Sequence, residues 1–269
     1  MLEHTFLFLP RVGAKREGKL WESGIRSWED YRGSDPGGIK GIPRALKREH
    51  DALLHHARHA LTRDPGFFAS VLPGGEQWRA FGDYGRDAVY LDIETSDEGG
   101  RPIITVVGLH GPRGTTLLVH DDDLTRENVE EALADASLVV TFNGGSFDLP
   151  MLQRAGVRIP NIPHMDLLHA CRRLDLRGGL KRIERQLGLG RPEEAEGLTG
   201  HDAVFLWHRH RCGESGALEK LLAYNRADVE NMVPLANHVY RHLRARTLEA
   251  TEGPAGPRYR NRALAVQDT

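Results

Sequence analysis

The chain has 269 residues, of which 39% are hydrophobic and 28% charged, and a formal net charge of −2. This is an ordinary globular composition for one large domain, or for one medium domain with an appendage. No apolar run reaches the roughly 20 residues a membrane-spanning helix needs, and no global basic excess advertises a polyanion partner.

The chain opens with Met1 to Lys19, where an acidic residue precedes a short apolar stretch and a basic cluster follows it. A secretory leader has the opposite charge order, so a cytoplasmic location is expected. Residues 1 to about 80 are rich in Gly, Trp and charge and contain no convincing strand. Residues 20–31 and 43–61 read as helices, with a turn at Asp35-Pro36-Gly37-Gly38 between them.

The texture changes near Asp87. Ala88 to Glu94 is β-rich and alternates. Ile103 to Leu109 and Thr115 to Val119 are further apolar runs, joined by Gly- and Pro-containing turns at 99–102 and 111–114. Three such runs in succession predict an antiparallel meander. A helix is expected at 127–134 and a fourth strand at 138–142. Helices are expected at 147–155, 165–174, 179–187, 201–210 and 216–243. Strands followed by a strand–helix alternation predict an α/β fold with a mixed sheet flanked by helices. From Thr247 the Gly/Pro-rich tail predicts disorder. The division expected is a helical N-terminal region (1–80), a main domain (81–246) and a flexible tail (247–269).

Metal ligation by sulfur is not indicated. Cys171 and Cys212 form no CxxC pair, which argues against zinc and leaves a single disulfide open. The fourteen histidines are scattered, and neither His55-His56 nor His208 and His210 is read as a zinc site. Only six of the 36 basic residues are lysine. Arginine is the better bidentate phosphate binder, although a GC-rich genome or a hot habitat gives the same bias.

The acidic residues carry more. Asp92 and Glu94 stand two apart on a predicted strand that is otherwise apolar, so both side chains point to one face. Two carboxylates on a mostly buried strand repel each other and are costly to desolvate. A divalent cation offsets that cost, and oxygen-only ligands favour Mg²⁺ or Mn²⁺. The alternative is an edge strand with both side chains in water. Asp148 follows the fourth strand across Asn143-Gly144-Gly145-Ser146-Phe147, at a helix start and a sheet end, where α/β folds place sites. The alternative there is a simple helix cap by Asp148 or Ser146. Tyr224 and Asp228 lie four apart on a predicted helix and share a face; an amphipathic helix with a boundary Tyr and an exposed Asp gives the same spacing.

Together, LDIET (91–95), TFNGGSFDLPML (141–152) and YNRADVENM (224–232) resemble, in order and spacing, the three exonuclease motifs of the DEDD exonuclease superfamily. The resemblance is closest to the YprB-type ribonuclease H-like domain and covers about residues 65–243. HMDLLHACRRL (164–174), LKRIERQLGL (180–189) and EQWRAF (76–81) contribute to it. Position 223 is Ala where the histidine subtype carries His, and Tyr224 marks the tyrosine subtype. The Asp-x-Glu spacing also differs from that of true ribonuclease H endonucleases.

The resemblance implies a ribonuclease H-like fold and a 3′→5′ exonuclease using two divalent ions, Mg²⁺ or Mn²⁺, roughly 3.5–4 Å apart. Asp92 is expected to bridge both ions, with Glu94 and Asp228 completing one and Asp148 serving the other. Tyr224 is expected to orient the attacking water. Thr95, Asn143 and Phe147 are candidate substrate contacts, Phe147 by stacking on a terminal base; as a Phe it could equally fill core. Single-stranded DNA is the expected substrate, in repair. An exoribonuclease is the alternative, ahead of a structure-specific endonuclease or an inactive nucleic-acid-binding module.

Phe8 to Arg16, with the following helix and Gly24 to Trp28, resembles the N-terminal part of YprB-type proteins and a degenerate helix-hairpin-helix. Arg11 replaces the first Gly of that hairpin, while Lys15, Arg16 and Lys19 keep a basic surface. DNA contact and a packing role both remain open for this region. Arg191 to Gly200 lies where YprB-type proteins have a more regular connection, and its acidic run, Glu193 to Glu196, is expected to be a solvated loop.

Overall fold

The computed structural model describes residues 1–35, 39 and 41–249. Pro36 to Gly38 of the expected turn and the tail beyond Glu249 lie outside the described residues.

The described secondary structure of the N-terminal region is all helical. It contains α1 (Ala14–Glu22), α2 (Trp28–Gly33), α3 (Arg44–Ala60) and α4 (Pro65–Val71), then a 3-10 turn at Gly74–Ala80 and the short α5 (Phe81–Tyr84). The single helix expected over 20–31 is in fact two. Gly24 adopts φ +89°, which breaks the first, and Ser27 starts the second through a capping box with Asp30. Ahead of the Arg11–Gly13 turn stands one 3-10 turn, Leu2–His4. Arg11 sits at φ +61°, and Arg16 folds back to donate to the Arg11 carbonyl at 2.5 Å. Lys15 and Lys19 are exposed.

The sheet has five strands in the order β3-β2-β1-β4-β5. They are β1 (Ala88–Glu98), β2 (Arg101–Gly111), β3 (Gly114–Val119), β4 (Leu138–Thr141) and β5 (His164–Asp166). The first three form the expected antiparallel meander, while β4 and β5 add in parallel, making the sheet mixed. β5 was not foreseen, because its residues read as the start of the helix expected at 165–174. It is only three residues long, too short for any periodicity. Asp166 ends it by capping α8 (Leu167–Arg173), accepting from the Leu168 amide at 3.0 Å.

The other helices are α6 (Arg126–Leu133), α7 (Asp148–Arg154), α9 (Leu180–Leu187), α10 (Gly200–Arg211) and α11 (Ala217–Glu249). α11 runs past its expected end at Leu243, into residues assigned to the tail. Both cysteines are free, Cys171 buried and Cys212 exposed.

The period-2 alternation of β1 divides the interior. Val89, Leu91 and Ile93 face one way and pack with Val129, Leu133 and Leu152 of α6 and α7. Ala88 and Tyr90 face the other way, where Leu138, Val140 and Met165 meet Val229, Met232, Leu235 and Val239 of α11. That second cluster continues into the N-terminal region through Phe6, Trp21, Trp28, Tyr31 and Phe68. Asp92 and Glu94 belong to the same face of β1 as Tyr90, so they look toward α11.

Candidate active site

Three of the predicted carboxylates converge. One oxygen from each of Asp92, Glu94 and Asp228 lies within 4.8 Å of the others. Glu94 and Asp228 are buried and Asp92 is half-buried. The strand brings the first two to one face, and the helical spacing brings Asp228 and Tyr224 to the facing side of α11. The solvent-exposed edge-strand alternative is therefore excluded, as is the exposed-Asp reading of α11.

Asp148 stands outside that group of three and approaches its strand from a third element. β4 pairs with β1 only as far as Tyr90↔Val140. Beyond that point the Ile93 amide donates to Asp148 Oδ1 at 3.1 Å. Asp148 is the first residue of α7, whose N-cap, Phe147, makes no side-chain cap. One oxygen of its carboxylate is thus engaged by the strand between Asp92 and Glu94, and the helix-cap alternative does not apply.

The turn carrying Asp148 is held from β5. Asp166 accepts from the amides of Asn143 at 2.9 Å and Gly145 at 3.3 Å. Asn143 sits at φ +69°, a conformation that Asn tolerates better than most residues, and its Oδ1 accepts from Ser146. Gly144 has no room for a side chain, since a Cβ would lie 2.5 Å from Thr141 Cβ. Phe147 is 45% exposed, so it does not fill core. Thr95 is half-buried at the point where the β1–β2 register shifts, just after Glu94.

Several residues at the site were not singled out from the sequence. Asn225, fully buried beside Tyr224, donates Nδ2 to Asp92 Oδ2 at 2.9 Å and to Glu94 Oε1 at 3.4 Å. Gly108 lies opposite Asp92 in the β1–β2 ladder, and a Cβ there would fall 2.0 Å from Asn225 Oδ1. Lys181 donates to the Tyr224 hydroxyl, with Nζ 3.9 Å from the ring centroid. Arg191 donates to Asp228 Oδ1 at 2.5 Å and to both oxygens of Glu184. Asn225, Lys181 and Glu184 fall inside stretches that carry the resemblance, but nothing local marks them. Arg191 opens the segment expected as a loop; Glu193, Glu194 and Glu196 beyond it are exposed as expected, but Glu193–Ala195 forms a 3-10 turn that buries Ala195.

Burial and mutual repulsion hold protons on this cluster. Burial pushes Glu94 up to about 8, with the Asp228 charge adding to it, and burial pushes Asp148 up to about 6. Asp92 is raised by burial and then by Asp228, Glu94 and Asp148. Asp228 is raised by burial, against the opposing pull of Arg191. Burial also raises Tyr224, helped by the same carboxylates, so its phenol stays protonated. Positive charge placed among these carboxylates would lower their repulsion and their pKa values.

Residues 89–240, more than half of the chain, match the family model described as the RNase_H superfamily. The chain is 30% identical over 191 residues to the uncharacterized protein YprB of Bacillus subtilis (strain 168), a match covering 61% of this chain and 44% of that protein. It therefore spans less than half the length of that relative. A family B DNA polymerase from the hyperthermophilic archaeon Pyrobaculum calidifontis superposes with a TM-score of 0.49 at 16% identity, covering 60% of this chain and 25% of the polymerase. Among the described residues no helix is long and apolar enough to cross a membrane. With a mixed five-stranded sheet flanked by helices and a carboxylate cluster on its central strand, the chain belongs to the RNase H superfamily.

Proposed function

We propose that this protein is a divalent-metal-dependent nuclease of the tyrosine-type DEDD class, removing nucleotides from the 3′ end of single-stranded DNA. The observation that carries this reading is the convergence of Asp92, Glu94 and Asp228 from β1 and α11 to within 4.8 Å of one another.

The donor set suits Mg²⁺ or Mn²⁺. Among the described residues the candidate ligand atoms are hard carboxylate oxygens, with no sulfur or imidazole in the group, and the repulsion among them calls for positive charge. Asp92, Glu94, Asp148 and Asp228 are the residues that would hold two such ions. When bound, the ions supply Lewis acidity and neutralise charge on the scissile phosphodiester.

The remaining residues bind and orient. The Tyr224 oxygen accepts from Lys181, which leaves the phenolic proton free to donate. With its pKa raised, Tyr224 positions the attacking water rather than deprotonating it. Asn225 holds Asp92 and Glu94 in register. Exposed Phe147 offers an aromatic face for a terminal base, and Thr95 and Asn143 would supply polar contacts. Cytoplasmic location and a preference for DNA over RNA belong to the same proposal.

The test is digestion of 5′- and 3′-end-labelled single- and double-stranded DNA and RNA with Mn²⁺, beside an EDTA control. A metal-dependent ladder on 5′-labelled single-stranded DNA is expected. Equal or faster laddering of RNA assigns the exoribonuclease reading instead, and internal cuts assign an endonuclease.

A further inference from the structure

Arg191 stands out because its charge is already spent. Its Nε and Nη2 grip the two oxygens of Glu184 at 2.7 and 2.8 Å, and Nη2 also reaches Asp228 Oδ1 at 2.5 Å. The side chains of Glu184 and Arg191 are 2% and 8% exposed. A lone guanidinium on Asp228 would offset the negative potential that attracts a divalent cation. Paired with Glu184 it forms a fork with no net charge, which leaves the cluster anionic while still donating one directed hydrogen bond. The fork is not arranged for solvent: Nη1 is buried without a partner, a cost that the carboxylate bonds offset.

Geometry adds direction. Glu184 lies on α9 and Arg191 on the segment after the left-handed Gly188 that ends it. Asp228 lies on α11, whose Tyr224 is held from the same side by Lys181 of α9. α9 and its exit thus set both site residues of α11. With Oδ1 engaged by Arg191, Asp228 has Oδ2 as its uncommitted oxygen.

We propose that Glu184 and Arg191 are a positioning pair for Asp228, a buried neutral fork that fixes which carboxylate oxygen faces the cation. The proposal deepens the nuclease reading and rests on it, since it requires that the cluster bind a divalent ion. Partners behind a metal ligand typically alter metal affinity by about 10- to 100-fold.

The test is a calorimetric Mn²⁺ titration of the full chain, without nucleic acid, for the parent, Arg191→Lys, Glu184→Gln/Arg191→Gln and Arg79→Lys. Circular dichroism melting runs alongside. Arg79→Lys perturbs a buried ion pair in the N-terminal region and serves as the control for general destabilisation. Arg191→Lys keeps the charge and loses the fork, so its affinity is expected to fall about tenfold. Arg79→Lys is expected to lower the melting temperature and leave affinity unchanged. Should Arg191→Lys fail to fold, the double variant, which leaves neither buried charge alone, is read in the same way. Unchanged affinity in the folded Arg191 variants, or an equal fall in Arg79→Lys, overturns the pair's positioning role. A parent that binds no Mn²⁺ overturns the cation reading beneath it, which is a distinct result.

Discussion

At the scale of single residues, the site is a balance between burial and charge. Glu94 ionises at about 8 instead of its ordinary 4.5 because the folded chain buries it and sets Asp228 beside it. Between those two values the folded protein keeps a proton that the unfolded chain has released. Protons then favour the folded state, and stability is lost as pH rises from about 4.5 to about 8. Asp148, raised to about 6, adds to the loss over the lower part of that window. A bound cation must displace these protons, so its affinity rises with pH. The melting temperature of the metal-free protein is expected to fall between about pH 5 and pH 8, and the increase produced by Mn²⁺ to be larger at about pH 8 than at pH 6. A Mn²⁺ increment that does not depend on pH argues that the ion binds elsewhere.

At the scale of elements, β1, β2 and α11 approach as closely as backbone allows. Gly108 on β2 leaves the space over the sheet that lets Asn225 of α11 reach Asp92 and Glu94. In Gly108→Ala the new methyl meets Asn225 Oδ1 at 2.0 Å, so Asn225 must leave its place. Overpacking of this kind costs about 1–3 kcal/mol. Thermal melting is expected to show that loss, together with weakened Mn²⁺ binding; melting and binding both at parent level contradict the contact.

This scale also shows what the sequence could tell. Asp-x-Glu on a strand and Tyr-xxx-Asp on a helix are local periodicities, so the chain order alone assigns those side chains to faces. The two-stage approach of Asp148 through Asn143-Gly144-Gly145 is legible for the same reason, a turn followed by a helix start. Gly108 and Arg191 act through partners far along the chain, and Glu184 acts through Arg191, so no local pattern marks them. β5 escaped because three residues show no period. The break at Gly24 was hidden because Trp21, Trp28 and Tyr31 keep an apolar spacing that a continuous helix also explains.

For the whole molecule, the N-terminal region buttresses the site. Its aromatic residues share a core with Met232, Leu235 and Val239, which lie on α11 just beyond Asp228. Arg79 ties the region together from within. It pairs with Glu17 at 3.0 Å and Glu76 at 2.7 Å, donates to Thr5 at 3.1 Å, and packs beside the rings of Trp21 and Trp78. Burial holds Glu17 above its usual range even against Arg79, so the pair depends on both members being present. Arg79→Ala is expected to cost about 3–5 kcal/mol. It is also expected to lower a single melting transition, because residues 1–80 and α11 share one core. A separate early transition for the N-terminal region contradicts that continuity.

All of these effects converge on whether the carboxylates of β1 and α11 act together on a phosphodiester. The most direct measurement is nucleotide release from 5′-labelled single-stranded DNA with Mn²⁺ by Asp92→Ala and Asp228→Ala, each with its circular dichroism spectrum. Loss of ligands to a Lewis acid that supplies several kcal/mol predicts a fall of about a thousandfold or more with the fold intact. Tyr224→Phe, which removes the hydrogen bond to the attacking water but no metal ligand, is expected to fall only about tenfold. Release at parental rates by folded Asp92→Ala and Asp228→Ala would contradict a shared metal centre.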